Sequence, residues 1–183
     1  DMLPRGFFNV VIGDLVLMQI AADKERDFFK KISSLLSANG TFIMRTRVRK
    51  DMTNKNTAEN IIVKTLYGKR RQNDDAAART LLWQLYDLSA NRFERRIDRK
   101  WATDSIRKFM AEHNSQHKIL LLCLKKMESY FTEAAVRWIF ASPFDSELDR
   151  LISEVFEIRN KTDLPHYYED TATYTLLNMS KRR

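Results

Sequence analysis

Apolar residues change their spacing several times along this chain. Phe7-Phe8-Asn9-Val10-Val11-Ile12 is nearly continuous, aromatic and β-branched, and it ends at Gly13-Asp14. A run without polar alternation predicts a strand buried on both faces of a parallel sheet. A helix follows. Asp23 is placed to cap it, and Phe28, Phe29, Ile32, Leu35 and Leu36 recur on one helical face. Asn39-Gly40 is expected to stop this helix, because glycine tolerates the left-handed conformation that helix ends favour. Thr41 to Val48 then reads as a second strand. Strand, helix and strand in such close succession make a βαβ unit with parallel pairing.

From Asn54 to Ser142 only helical spacing remains. Asp74/Asp75 are placed to cap a helix carrying Leu81, Leu82, Leu85 and Tyr86. Phe93, Ile97 and Trp101 are spaced by four on the next. Thr103 or Asp104 would open a third, with Ile106, Phe109 and Met110, and Ile119 to Phe131 is apolar enough for a central helix. Gly68 is the one glycine here, which suits a helical bundle without strands. After Pro143 and Asp145, Leu148, Leu151, Ile152 and Val155 follow the i, i+3, i+4, i+7 rule of a helix. Phe156 to Asn160 alternates as a strand. The stretch around Leu164-Pro165-His166 is rich in turn signals, and Ala172 to Met179 forms a last strand that pairs antiparallel with it.

The sequence divides accordingly into 1–50 (strand, helix, strand), 51–142 (helical insert) and 143–183 (closing helix and β-hairpin). The apolar strand at Val10-Val11-Ile12 wants a neighbour on its other side, and none is visible upstream; the chain also begins with Asp. The N-terminal part of a larger domain is therefore expected to lie outside this sequence.

With 44% hydrophobic, 31% charged and 11% aromatic residues, the chain can bury a core, and disorder is excluded as its general state. The longest apolar run, Ile119 to Leu124, falls far short of a transmembrane helix, and no signal-peptide pattern appears. The single Cys123 lies within that run and reads as a core thiol in a reducing, cytoplasmic compartment. A net charge of +8 raises nucleic-acid binding. The basic residues are scattered in four clusters: Arg45/Arg47/Arg49/Lys50, Lys69/Arg70/Arg71, Arg92/Arg95/Arg96/Arg99/Lys100 and Lys181/Arg182/Arg183. Acidic residues interrupt most of them, so solvated surface competes with phosphate contact at each.

The order of elements resembles the second half of the class I S-adenosylmethionine (SAM) dependent methyltransferase fold. Phe8-Asn9-Val10-Val11-Ile12-Gly13-Asp14 is similar to that family's fourth strand, with Asn9 where Asp is usual. Leu35-Leu36-Ser37-Ala38-Asn39-Gly40-Thr41-Phe42-Ile43 resembles its turn into the fifth strand, without the proline and one glycine. Glu147 to Met179 resembles its closing helix and two strands. The fold implied is α/β: a partial Rossmann-like methyltransferase sheet, strands four to seven with the last antiparallel, interrupted by a large all-helical insertion. The cofactor implied is SAM, and the acceptor a small molecule. The family's Gly-rich cofactor loop is missing, since Gly6, Gly13, Gly40 and Gly68 make no GxG, so this chain alone is expected to be inactive.

The resemblance implies cofactor contacts at Asp1 and Met2, which resemble the end of the third strand, and at Gly13, Asp14 and Leu15, where the chain leaves the fourth. Asp14 would hold the cofactor's ammonium or position a substrate nucleophile; the structural alternative is a cap for a short helical segment beginning near Leu15. Gln19 and Arg45 are substrate candidates, Arg45 meeting either an acidic substrate group or a carboxylate of the insert. No general base is assigned, because a sulfonium is already a good leaving group and alignment does most of the work. His113 and His117 have the i, i+4 spacing of helical metal ligands, but Asn114-Ser115 breaks the helix between them and no third ligand follows, so no metal is expected. Trp83, Tyr86, Phe93 and Trp101 read either as bundle core or as the lining of a pocket. Two functions compete with the methyltransferase: a nucleic-acid binding or RNA-modifying protein that uses its basic helices, and an inactive helical interaction module.

Overall fold

The computed structural model describes residues 3–50, 57–68, 73–91, 93–129, 139–164 and 172–182. In chain order these form β1 (Phe8–Asp14), α1 (Glu25–Leu35), β2 (Leu36–Arg49), α2 (Ala58–Tyr67), α3 (Asp74–Ser89), α4 (Arg99–Glu112), α5 (Lys118–Ser129), α6 (Asp145–Ser153), β3 (Phe156–Leu164) and β4 (Ala172–Lys181). The class is mixed α/β. The chain forms two compact units: a sheet unit built from 3–50, 142–164 and 172–182, and a helical unit built from the described residues between 57 and 141. No helix among the described residues is long and apolar enough to cross a membrane.

In the sheet unit the strand order is β1-β2-β4-β3. β1 and β2 are parallel, while β4 runs antiparallel to both β2 and β3. The last strand of the four thus lies between strands that share one direction. α1 and α6 pack on one face, over a core of Phe29, Leu36, Phe42, Met44, Leu148, Ile152, Phe156, Leu177 and Met179. Phe42 is the hub: its ring meets Phe28, Phe29 and Phe156 at centroid distances of 6.2, 6.5 and 5.9 Å. These separations fall in the range where tilted and edge-to-face rings attract.

Several local expectations are corrected. Asp23 does not cap α1; it lies in a short 3₁₀ turn, Ala22–Lys24, and Lys24 occupies the cap without a side-chain hydrogen bond. Asn39-Gly40 does not end the helix. α1 stops at Leu35 and β2 begins at once, carrying Gly40 within the strand. A side chain there would meet the Phe8 carbonyl oxygen and the Leu36 Cβ, both at 2.9 Å, so close backbone approach is what demands glycine. β1 is not buried on both faces: it is a sheet edge, with Val10 and Ile12 exposed by 52% and 75%.

In the helical unit α2 to α5 bury Ile62, Ala78, Leu81, Leu82, Leu85, Ile106, Leu120 and Cys123 completely. The caps differ from those expected. Asn73 accepts from the Ala76 N–H ahead of Asp74 and Asp75, which lie in the first turn, and Asp98 accepts from the Trp101 N–H to start α4. Phe93, Ile97 and Trp101 do not share a helix. Asn91 Oδ1 takes the N–H groups of Phe93 and Glu94, Arg95 adopts a φ of 55°, and Phe93 is left 84% exposed. Ile119 to Ser129 is helical as expected; Phe131 and the 165–166 turn lie outside the described residues.

Candidate functional site

In open α/β sheets, ligands collect at the carboxyl ends of parallel strands. Here that edge is the end of β1 and the middle of β2, where Gly13 pairs with Met44 and Asp14 with Arg45. Phe42 and Met44 belong to the helix-covered core. By alternation, Asp14, Arg45, Ile12 and Ile43 therefore point to the opposite face of the sheet.

Asp14 and Arg45 form a two-pronged ion pair. Arg45 Nε donates to Oδ1 at 2.6 Å and Nη2 to Oδ2 at 2.8 Å. The hydrogen bond from Arg45 holds the Asp14 carboxyl below the ordinary carboxylate range; slight burial opposes this, and the charge of Arg45 adds to it. Both side chains stay open to solvent, with 59% of Asp14 and 43% of Arg45 exposed. Leu15 follows in the left-handed region at φ 51°, pinned by its own N–H to the Arg45 carbonyl at 2.9 Å. A β-carbon-bearing residue in that conformation is strained. It turns the chain sharply into the 3₁₀ turn Val16–Gln19. Asp14 does not cap that turn: the cap residue is Leu15, without a side-chain hydrogen bond.

Gly13 has a packing reason to be glycine. A β-carbon would lie 3.2 Å from the Phe42 ring and 3.4 Å from Val16. Gln19 is exposed at the end of the turn, and Asp1 and Met2 lie outside the described residues. Of the sequence candidates, the fold joins Asp14 and Arg45 directly, with Gly13 and Leu15 as their backbone frame. Arg45 pairs with a β1 carboxylate, a partner the sequence did not suggest.

The basic clusters do not survive as uniform surfaces. Arg47 and Arg49 are buried, and Arg49 Nε donates to the Ser142 carbonyl at 2.6 Å while its guanidinium lies 4.2 Å from the Phe144 ring centre. The Arg49 N–H also reaches the Pro143 carbonyl at 2.8 Å. Arg49 therefore clasps the point where the chain returns to the sheet. Arg95 is buried and Arg96 pairs with Glu94. Lys69, Arg70, Arg71, Arg92 and Arg183 lie outside the described residues. Sequence reasoning missed the burial of Arg47 and Arg49, and only the neighbouring Val48 hinted at it.

A groove of about 640 Å³ runs along α4 of the helical unit, between Trp101 and Phe109 and the start of α2. Most of its charged groups are already matched. Lys100 bonds Asp104 at 2.9 Å, Lys108 faces Glu112 at 3.7 Å, and Asp98 is spent on its cap. Trp101 lines this groove, while Tyr86 is core and burial pushes its hydroxyl pKa up. His113 stacks on Phe109 at 4.2 Å, and His117 Nδ1 accepts from the Ile119 N–H. Among the described residues no three potential ligands gather for a metal.

No protein-family model matches the chain, and neither does any curated protein. Among solved structures it is similar to one described as a putative Zn-dependent alcohol dehydrogenase from Rhodobacter sphaeroides, with 15% identity and a TM-score of 0.48. That alignment covers 98% of this chain and 61% of the other, so this chain spans less than two thirds of it. Likeness at that level assigns neither a family nor a chemistry.

Proposed function

We propose that this chain is the downstream part of a class I SAM-dependent methyltransferase, in which the ends of β1 and β2 border the reacting methyl group and a small-molecule acceptor. The observation that carries the proposal is the parallel β1–β2 pair joined through α1, which presents Asp14 and Arg45 together, beside a final strand that runs against its neighbours. The parallel pair and the antiparallel last strand support the resemblance carried by Phe8–Asp14, Leu35–Ile43 and Glu147–Met179, whereas the Asp14–Arg45 pairing adds to it.

SAM supplies the activated methyl group when bound. The chain's own residues supply alignment. Asp14 is an ionised, half-open carboxylate suited to an ammonium or a hydroxyl, and Arg45 suits a carboxylate. The fixed turn at Leu15 holds both in place, and positioning alone can account for a large share of the rate. Cofactor affinity needs the Gly-rich loop as well, which this sequence lacks.

Isothermal titration tests the reading. The 183-residue chain alone is expected to give no SAM binding in the micromolar range, and a longer natural protein containing this sequence is expected to give it. A longer protein that neither binds SAM nor converts it in the presence of small-molecule acceptors sinks the methyltransferase assignment.

A further inference from the structure

In the helical unit, α4 turns one face to the groove that the start of α2 borders. Phe109 is buried there, and Trp101 lines the groove with 39% of its surface open to water. Covering so large an apolar ring is favourable for any ligand that can do it. Four carboxylates, Glu59, Asp98, Asp104 and Glu112, line the groove against two ammonium groups, Lys100 and Lys108. The groove is therefore net acidic in a chain whose net charge is +8. The excess is divided between its two ends. Asp98 lies beside the Lys100–Asp104 pair; its Oδ1 takes the Trp101 N–H, and its second oxygen accepts no hydrogen bond among the described residues. Glu59 stands at the other end with Lys108 and Glu112, and its partner there is His113 at 3.8 Å, an imidazole that is charged only when protonated.

We propose that this groove binds a long aliphatic diamine or polyamine: one terminal ammonium goes to Asp98, the other to Glu59, and the methylene chain lies along Trp101. Between its cap residues Asp98 and His113, α4 rises by about 22 Å, and side chains reaching inward from both ends shorten the span that the ligand must bridge. The site belongs to the helical unit and stands independently of the methyltransferase reading.

Charge complementarity sets the sign of the ligand, and the apolar lining sets its form. A metal cation needs several ligands drawn together, and among the described residues no three gather. A peptide brings backbone amides that need hydrogen-bond partners once covered. The helix starts that border the groove already use theirs: Thr57 accepts from the Asn60 N–H, and Asp98 from the Trp101 N–H. A diamine has no amides. Its ammonium groups donate to carboxylates, and its methylenes cover the indole. Between the ends, Lys100 and Lys108 face Asp104 and Glu112, so the middle of the groove is neutral and suits an uncharged chain.

The test titrates the labelled full chain with spermine at about 0.1 M salt, where distant charges are screened. It follows the Trp101 indole N–H, identified by its loss in Trp101→Phe, and the amides of Glu59 and Ser105. Saturable shifts are expected. 1,12-Diaminododecane should bind about tenfold more tightly than 1,3-diaminopropane, which has the same charge and cannot reach both ends, and than octylamine, which has one charge. Glu59→Gln and Asp98→Asn should each weaken spermine binding by a similar factor; asparagine still caps α4, so the second variant keeps its fold. Glu128→Gln, on α5 outside the groove, should leave binding unchanged. The diamine series needs no variant to fold. Absence of saturable shifts at millimolar spermine, equal binding of the short and long diamines, or an equal loss in Glu128→Gln overturns the site. Tighter binding of tetralysine than of spermine also overturns it, and makes the groove a protein-docking surface instead.

Discussion

Cys123 lies inside the helical unit, and burial pushes its thiol up to about 12 from an ordinary value of 9.0; nearby Lys126 pulls only weakly the other way. The thiolate is the nucleophile, so alkylation of the native chain at pH 8 should be blocked and should proceed once the chain unfolds, as mass measurement would reveal. The pH dependence has a definite sign. Above about 9 the unfolded thiol loses its proton while the folded one keeps it, so stability falls as pH rises toward 12. Cys123→Ala should flatten that part of the slope in urea midpoints taken at pH 8 and pH 10. Gly40 offers a second residue-scale test. Gly40→Ala drives a methyl group against the Phe8 carbonyl and Leu36, and about 1–3 kcal/mol should be lost by chemical denaturation. An unchanged midpoint would mean that β1 can move aside.

Between elements, Lys161 of β3 reaches Asp145 at 2.6 Å and Asp149 at 2.9 Å, tying α6 to the sheet. Burial opposes its charge, yet the two carboxylates prevail and raise its pKa. The resulting stability is present at neutral pH and is lost as pH climbs through the raised value. Because the group keeps about a quarter of its exposure, Lys161→Met should cost only about 1 kcal/mol, a difference that closes in strongly alkaline buffer. The elements themselves were largely legible. Apolar runs located β1, β2 and the last two strands, and helical spacing located α1, α3, α5 and α6. Boundaries failed where one residue type serves two purposes. Gly40 looked like a helix stop and is a close backbone contact; Phe93 and Trp101 matched helical spacing that the Asn91 turn interrupts. The site was half legible. Asp14 and Arg45 stood out by position, but their pairing depends on a register shift between Phe8 and Val10 that no local pattern encodes. Charge clustering suggested surface for Arg47 and Arg49, which are buried.

For the molecule as a whole, β1 is an edge strand whose outer backbone groups meet no further strand among the described residues, and it carries the exposed Val10 and Ile12. Such an edge templates pairing with other chains. Sedimentation should show association that grows with concentration, and Ile12→Lys should suppress it; a monomer unaffected by either would mean that the edge is protected. The position of β4 carries a different consequence, one of timing. Thr41 on β2 pairs with Ser180 on β4, whereas the helical unit draws its described residues from the intervening chain. On a translating ribosome, the seat between β2 and β3 must stay vacant until the last strand clears the exit tunnel. The helices, rich in local contacts, can form well before that moment. Half of the sheet therefore waits on the end of β4, and a stall or premature stop codon before Ala172 would release a protein with a finished helical unit and an unclosed sheet.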